Sequence, residues 1–574
     1  MLPSQPIITN FEDDIDHPEF NPDSKWPRRL LNVSDMTSYK WQPDNTYGGI
    51  SNPSYSVISY TWGRWRLAEN SCTDSLPVRG VPWQVPKVDP KHFTIKQFQR
   101  VLDIIVNRED KFDAAAPFVW LDVACIPQWK HSTIADSEVG RQARIFRGAI
   151  KGYIWLTTAD PATLAMLFSK ELHDKTRDPI SDLQSFCHLL EDPWFWSMWT
   201  LQESFIQGDA YIIAGSDFCF MTGYKRPLNL YQIRGLAMHY TGDVTYTPQY
   251  DQRKIEVELS KFVDMWRRSG LQGPLSASPM QVLACAFFRT SEHVLDRVYG
   301  IMQIFGDEFR VGKAREGGGP KQTFTLEELE DALGVLVVNR FPTISQLFCH
   351  EETPLAGRAW RICGRASVPR PLAYESAQFN DKLTTPGSRM ETSRFYLKIT
   401  TDQVDATTWG KFEGKVCPLR TITNCLKSPS FAPEWSTMEC YFDAGAGVPA
   451  HGGDKGQRVY PLQDIQPMID HFGPTELLAA LLSTRVDLQV GKTCKVNGLL
   501  ILRPGKAALE VHRNRRGWHS GLDGVGTLAW ARVGVFQLEW YEERDKVTFK
   551  YMKEQVKTLF GVSEHWGDAD GIWG

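Results

Sequence analysis

Seven residues whose types suit a ligand pocket stand at three points where predicted strands and helices begin or end. They are Ser59, Tyr60, Trp62, Gly63, Asp122, Trp199 and Glu203. Trp199 and Glu203 are four residues apart in a predicted helix, so the indole and the carboxylate share one face. That pair suits a ligand with a flat ring and hydroxyl groups.

Each of these residues also has a structural interpretation that the sequence leaves open. Trp62 and Gly63 could form a tight turn closed by a packed indole, and Asp122 could cap the segment that follows it. Glu203 could hold the loops at the strand ends. Cys125 is interpreted as a core residue, because no histidine lies in its motif to activate a thiol.

The elements that must position these residues alternate between strands and helices. Four apolar runs predict strands; they lie at 55–60, 118–121, 153–156 and 211–214. Helical spacing of apolar residues fills the intervals, and this alternation predicts a mostly parallel sheet covered by helices. Ligands of such sheets bind beyond the carboxyl ends of the strands, where Ser59 and Asp122 lie.

The chain as a whole is predicted to have four segments. Residues 1–50 carry many prolines and acidic residues and are predicted to be an extended arm, and residues 51–220 hold the α/β domain. Residues 221–315 are predicted to be a helical extension of that domain. Residues 316–574 are predicted to be an α+β domain of unknown function, with a helix near 463–482.

Composition excludes several classes of protein. A net charge of −4 gives no general attraction for nucleic acid or anionic lipid. The apolar runs are much shorter than the 18 or so residues that span a bilayer, and no secretion signal is found, so a cytoplasmic protein without a membrane span is expected. The 11 cysteines lack the paired spacing of metal ligands, and neither a metal nor a bound cofactor is predicted.

An ordered set of motifs between about residues 55 and 305 resembles the fungal heterokaryon incompatibility (HET) domain. The motifs are Ser59-Tyr60-x-Trp62-Gly63, Trp120-x-Asp122-x-x-Cys125-Ile126-x-Gln128, Ile145-Phe146-x-x-Ala149 followed by Trp155-Leu156, Trp199-Thr200-Leu201-Gln202-Glu203, and Asp296-Arg297-Val298-Tyr299-Gly300. The resemblance implies a role in fungal nonself recognition, in which contact between unlike cells triggers programmed cell death.

The HET domain is in turn similar to TIR domains, which implies a flavodoxin-like sheet. Some TIR domains hydrolyse NAD through the glutamate of a Trp-x-x-x-Glu helix. By this resemblance Glu203 would be the catalytic residue of an NAD glycohydrolase, and NAD would be a substrate rather than a cofactor. The ligand-binding residues would be Ser59, Tyr60, Trp62, Gly63, Asp122 and Trp199.

The alternative hypothesis is a non-catalytic signalling module. It would self-associate or bind a partner through the tryptophan-rich surface. A homo-oligomer or a protein partner through the C-terminal domain is a separate expectation.

Overall fold

The computed structural model describes most of the chain. The described residues are 17–61, 74–107, 116–129, 132–168, 177–218, 227–241, 251–271, 279–306, 324–369, 372, 394–395, 398–404, 407–427, 436–446, 459–461, 464–473, 475–487, 493–541 and 566–573. The chain forms two compact units; one comprises Met1–Leu275 and Phe288–Glu308, and the other comprises Ser276–Phe287 and Phe309–Gly574. Across the described ranges, no helix is long and apolar enough to cross a membrane.

The first unit is built on a mixed sheet of seven strands. The described strands of the first unit, seven of which form this sheet, are β1 (Arg29–Asn32), β2 (Thr37–Lys40), β3 (Thr46–Tyr47), β4 (Ile50–Ser51), β5 (Tyr55–Ser59), β6 (Phe118–Trp120), β7 (Lys151–Leu156), β8 (Tyr211–Ala214) and β9 (Asp217–Phe218). The order across the sheet is β2-β1-β6-β5-β7-β8-β9, and β3 pairs separately with β4. The four central strands are parallel, whereas the strands at both edges are antiparallel to their neighbours.

Helices connect and cover these strands. The described helices of the first unit are α1 (Ile95–Val106), α2 (Asp122–Cys125), α3 (Thr133–Val139), α4 (Gln142–Gly148), α5 (Pro161–Leu167), α6 (Pro179–Leu190), α7 (Met198–Ile206), α8 (Leu230–Thr241), α9 (Gln252–Ser269) and α11 (Asp296–Tyr299), while α10 (Pro279–Ala286) belongs to the second unit. Local sequence determines several helix starts. Thr94 and Gln97 form a capping box at α1, because each side chain satisfies a backbone N–H of the other residue.

Alternate residues of β7 pack on opposite faces of the sheet. Tyr153 and Trp155 belong to a core shared with α1 and α4. Ile154 and Leu156 belong to a second core shared with α5, α6, α8 and α9. Both faces are therefore covered, which explains why these parallel strands are apolar throughout. The predicted α/β class, with a mixed sheet flanked by helices, is confirmed, and the TIR-like character stays a prediction.

Part of the segment predicted to be an extended arm joins the sheet. β1 pairs antiparallel with β6, so that Leu31 lies opposite Val119. The backbone N–H of Arg28 donates to the buried carboxylate of Glu138 at 3.0 Å, and Arg141 forms an ion pair with the same carboxylate at 3.2 Å. Strands of four residues between prolines are too short to give a periodic signal, which is why the sequence did not indicate them.

The order of the strands reverses at β5. The next strand, β6, lies on one side of β5, and β7 lies on the other side. In open α/β sheets the two connections then leave in opposite directions, and a crevice opens at the carboxyl ends of the two strands. Ser59, the last residue of β5, lies at this point.

The second unit contains a nine-stranded antiparallel sheet. The described strands of the second unit, nine of which form this sheet, are β10 (Cys349–His350), β11 (Ala366–Ser367), β12 (Arg394–Phe395), β13 (Lys398–Val404), β14 (Thr407–Pro418), β15 (Ser436–Phe442), β16 (Val459–Pro461), β17 (Leu477–Asp487), β18 (Thr493–Leu502), β19 (Ala531–Tyr541) and β20 (Gly567–Trp573). The order is β13-β14-β17-β18-β19-β15-β16, with β12 paired to β17 and β20 paired to β14; β10 and β11 pair separately. Its further described helices are α12 (Leu326–Arg340), α13 (Leu419–Lys427), α14 (Gln466–Phe472), α15 (Lys506–Arg513) and α16 (Asp523–Leu528).

The predicted helix near residues 463–482 is wrong in its second half. α14 ends at Phe472, and Gly473 follows with a φ of 102°, which only glycine adopts readily. β17 then begins at Leu477 and pairs with β18. Six consecutive apolar residues fit a buried strand as well as a buried helix, so the apolar run could not decide between them.

Gly498 of β18 allows the ring of Phe536 in β19 to lie across its backbone. A Cβ atom at position 498 would overlap that ring and would lie 2.6 Å from the carbonyl oxygen of Ala480. We expect Gly498→Ala to lower the free energy of unfolding of the second unit by about 1–3 kcal/mol, measured by chemical denaturation. The control is Gly524→Ala in α16, where a Cβ would meet nothing within 4 Å. This variant should be neutral or slightly stabilising, and equal losses in both variants would contradict the explanation.

Candidate functional site

Ser59 and Glu203 lie 144 positions apart in the chain and form a hydrogen bond. The Ser59 hydroxyl donates to Oε2 of Glu203, and Nε2 of Gln142 donates to Oε1 at 2.6 Å. Both oxygens of the carboxyl group therefore have side-chain partners. Ser59 is 4% exposed and Glu203 is 8% exposed, so the pair is shielded from water.

Trp194 extends this chain of hydrogen bonds. Its Nε1 donates to Oγ of Ser59 at 2.7 Å. Trp194 lies in the 3-10 turn Pro193–Trp196, which is capped by Asp192. The Asp192 carboxylate accepts hydrogen bonds from the backbone N–H of Trp194 at 2.9 Å and from the N–H and hydroxyl of Thr158 at 2.8 Å each. Since Thr158 follows β7, the end of that strand positions the indole against Ser59.

Arg289 fixes the start of α7, the helix that carries Glu203. Its Nη1 donates to the carbonyl oxygens of Trp194 at 3.0 Å and Ser197 at 2.9 Å, and to the hydroxyl of Thr200 at 3.1 Å. The neighbouring Thr290 pairs its backbone with the same turn. A segment from the end of the first unit is therefore part of the framework that orients Glu203.

Burial raises the pKa of Glu203 to about 8, because removal from water disfavours the charged form. The hydrogen bond from Ser59 lowers this pKa, the negative charge of Asp122 raises it further, and the hydrogen bond from Gln142 lowers it. The carboxyl group therefore changes its protonation state close to neutral pH. That is the range in which a carboxyl group can serve as an acid or a base at physiological pH.

Tyr60 and Asp122 form a second hydrogen-bonded pair at the strand ends. The Tyr60 hydroxyl donates to Oδ1 of Asp122 at 2.8 Å, and the same oxygen accepts the backbone N–H of Val123 at 2.8 Å. The Tyr60 ring stacks on Trp155 with 5.9 Å between ring centroids. The negative charge of Asp122 acts on both Tyr60 and Glu203. The structure thus brings together four of the seven predicted residues: Ser59, Tyr60, Asp122 and Glu203.

The other predicted residues are not seen with this group. Trp199 is half-buried, and its Nε1 donates to Oδ2 of Asp296 in α11 at 3.2 Å. Trp62 and Gly63 lie outside the described residues. Cys125 is fully buried, and burial raises the pKa of its thiol to about 12, which agrees with its interpretation as a core residue.

Two residues of the site were not predicted from the sequence. Gln142 lies on the face of α4 that also carries the buried residues Ile145 and Phe146. An amide on an otherwise apolar face was the signal that could have identified it. Trp194 lies in a cluster of aromatic residues, and nothing in the sequence distinguished its indole from that of Trp196.

A narrow apolar crevice borders Tyr60. Its walls are formed by Tyr60, Leu76, Val85, Pro86, Val88, Ile95, Phe98 and Val123. The crevice is too narrow to hold a ligand ring as it stands, so these side chains pack mainly against one another. In the described part of the chain, no three His, Cys, Asp or Glu side chains are grouped as a metal site requires.

The described tryptophans of this region contribute little exposed surface. Trp120, Trp155 and Trp194 are at most 1% exposed, and Trp199 is half-buried. The indoles of Trp120, Trp155 and Trp194 therefore pack within the fold and present almost no surface for self-association.

The raised pKa of Glu203 predicts a pH-dependent stability of the first unit. Between the unfolded value of 4.5 and the folded value of about 8, the folded state binds the additional proton, so stability falls as pH rises through this window. We expect Glu203→Gln to remove this loss. The free energy of unfolding of the variant minus that of the wild type should rise by on the order of a few kcal/mol from pH 6 to pH 9. Glu256→Gln, at an exposed position of α9, is the control and should track the wild type. A constant difference between Glu203→Gln and wild type across this range would contradict the assignment.

Comparison with known protein families gives one match. Residues 55–203 match the family model described as "Heterokaryon incompatibility protein (HET)". No curated protein and no solved structure was found to match the chain. The matched segment starts at the first residue of β5, which supplies Ser59, and ends at Glu203 itself. The chain therefore carries a heterokaryon incompatibility (HET) domain over residues 55–203.

Proposed function

We propose that this protein acts in heterokaryon incompatibility and that its HET domain hydrolyses NAD, which leads to programmed cell death in fungal nonself recognition. The observation that carries the proposal is the buried Glu203 carboxyl group, held by Ser59 at the switch point of the sheet, with a pKa of about 8. The proposed site of action is the cytoplasm. The second unit would recognise a partner protein or a second copy of the chain.

The reaction breaks the bond between C1′ of the ribose and the nicotinamide nitrogen. The bonding electron pair leaves with nicotinamide, and positive charge develops on the ribose. The oxygen of a water molecule then bonds to C1′, and the proton of that water is released. The products are nicotinamide, ADP-ribose and one proton. Nicotinamide leaves as a neutral molecule, so the protein need not supply an acid.

Glu203 would stabilise the transition state in its ionised form. A carboxylate close to the ribose offsets the developing positive charge, and the effect is strong because the site is shielded from water. It can also take the proton from the attacking water. The nearby negative charge of Asp122 acts in the same direction. Ser59 and Gln142 would orient the carboxylate, since each is bonded to one of its oxygens.

The ligand is proposed to bind beside Tyr60 and Asp122, at the carboxyl ends of β5 and β6, where its ribose would face the carboxylates. Both oxygens of Glu203 already have partners within the protein. A ribose hydroxyl would therefore displace the hydrogen bond of Ser59 or share its acceptor oxygen.

The test is to incubate the purified full chain with NAD and to follow nicotinamide and ADP-ribose by chromatography. We expect turnover by wild type and at least about a 100-fold lower rate for Glu203→Gln, which cannot ionise. The wild-type rate should rise with pH, reach half of its maximum near pH 8 and level off above that, because only the carboxylate form is active. Glu256→Gln should keep the wild-type rate and profile.

Two outcomes would refute the catalytic proposal. One is the absence of ADP-ribose over a range of protein concentrations from pH 6 to pH 9. The other is a Glu203→Gln variant that folds and keeps the wild-type rate. Circular dichroism on both variants establishes that a lost rate is not caused by unfolding.

A further inference from the structure

Helix α4 begins without a side-chain cap from its own segment. Its first residue is Gln142, whose Nε2 donates to Oε1 of Glu203 at 2.6 Å. The N-cap residue, Arg141, makes no side-chain hydrogen bond to the start of the helix. The first N–H groups of a helix have no partner within the helix. Because this end of α4 is buried, they need an acceptor from another part of the chain.

Gln303 supplies a cap from 160 positions further along the chain. It lies in the 3-10 turn Met302–Ile304 and is 3% exposed. Its Oε1 accepts the backbone N–H of Ala143 at 3.1 Å, and its Nε2 donates to the carbonyl oxygen of Gly140. One amide therefore holds the backbone on both sides of Gln142.

The residues that lead to Gln303 hold helix α7, which carries Glu203. We call residues 289–303 the strap. Its first residue binds the turn before α7, as described above. Asp296 accepts a hydrogen bond from Nε1 of Trp199 at 3.2 Å. The chain then passes α7 so closely that a Cβ atom at position 300 would lie 2.9 Å from a side-chain carbon of α7. The strap thus contacts both helices whose side chains form the hydrogen bond between Gln142 and Glu203.

Helices α7 and α4 also meet directly. The amide of Gln207, which follows the last residue of α7, donates to the carbonyl oxygen of Phe146. That contact lies in the last turn of α4, whereas Gln142 is the first residue of the helix. The start of α4, from which Gln142 reaches Glu203, therefore depends on the amide of Gln303.

We propose that Gln303 is a positioning residue for Glu203, acting through the start of α4 and Gln142, and that the strap belongs to the functional site. The matched family segment ends at residue 203, so the strap lies outside it. The motif at 296–300, which the sequence singled out, lies within the strap. The positioning does not depend on the proposed NAD hydrolysis, whereas its consequence for catalysis rests on that function.

The test follows the protonated carboxyl group of Glu203 in the full chain by infrared spectroscopy between pH 6 and pH 10. Glu203→Gln identifies its band. Gln142→Met removes a donor to the carboxylate and should raise the midpoint of its titration by about one pH unit. Gln303→Met keeps Gln142 but releases the start of α4, so the midpoint should rise as well. The double variant should match Gln142→Met, because both changes break the same hydrogen bond.

The charges around Glu203 are the same in all of these variants. The negative charge of Asp122 acts on Glu203, and the charge of Glu203 acts on Tyr60. Neither residue is changed, and methionine adds no charge. A moved midpoint therefore reports the hydrogen bonding of the carboxyl group.

Gln346→Met is the matched control. Gln346 is a fully buried glutamine of the second unit, and its Nε2 donates to the carbonyl oxygen of Trp360 at 3.1 Å. This variant should unfold at a lower temperature and keep the wild-type titration of Glu203. A purely structural role for Gln303 would give the same pattern in Gln303→Met and would overturn the proposal. An unchanged midpoint in Gln142→Met would overturn it too.

If Gln303→Met does not fold, Gln303→Asn decides. Asparagine keeps the amide but is one methylene shorter, so it cannot reach both Gly140 and Ala143. A raised midpoint in Gln303→Asn supports the proposal, and the wild-type midpoint refutes it. Circular dichroism at each pH establishes that the variants remain folded during the titration.

Discussion

The first unit depends on the hydrogen bonding of one buried carboxyl group. Glu203 cannot be withdrawn from water unless donors replace its hydration, and Ser59 and Gln142 supply them. These donors lie on β5 and α4, while Trp194 and Arg289 determine where Ser59 and α7 stand. Segments that are remote in the chain are thereby fixed to one point at the carboxyl end of β5. The same requirement that stabilises the fold also places a titratable group at that point.

The two units treat buried charge in opposite ways. In the first unit, every oxygen of Glu203 has a protein donor, and the pKa shifts until the group is neutral near physiological pH. Burial does not neutralise Arg515 in this way, because its pKa remains far above neutral even after burial. Arg515 therefore stays charged in the second unit, and the carboxylate of Asp443, whose charge acts on it, is also paired with Arg532. A group that can lose its charge needs only hydrogen bonds, whereas one that cannot needs a counter-ion.

Much of the first unit could be predicted from its sequence because strand and helix patterns there are strong. β5, β6, β7 and β8 all lie in predicted apolar runs, and the motifs identified Ser59 and Glu203. The role of Trp194 could not be identified, since it arises from distances between elements rather than from local pattern. Gln142 had a local signal, its amide on an apolar helix face, but its partner lies on a different element. Residues 477–482 were assigned to a helix because a strand buried on both faces loses the alternation that distinguishes it. β1 and β2 pair with each other as a short local hairpin, and only the pairing of β1 with β6 joins it to a distant part of the chain.

Strand β20 has a consequence for the way the second unit is made. It fills the edge of β14 beside the short stretch where β14 pairs with β17. Residues 410–416 leave the ribosome about 150 residues before their partners at 567–573. Until then their backbone N–H and C=O groups form an open edge that any other strand can occupy. This part of β14 can therefore reach its final pairing only after residues 567–573 have been synthesised.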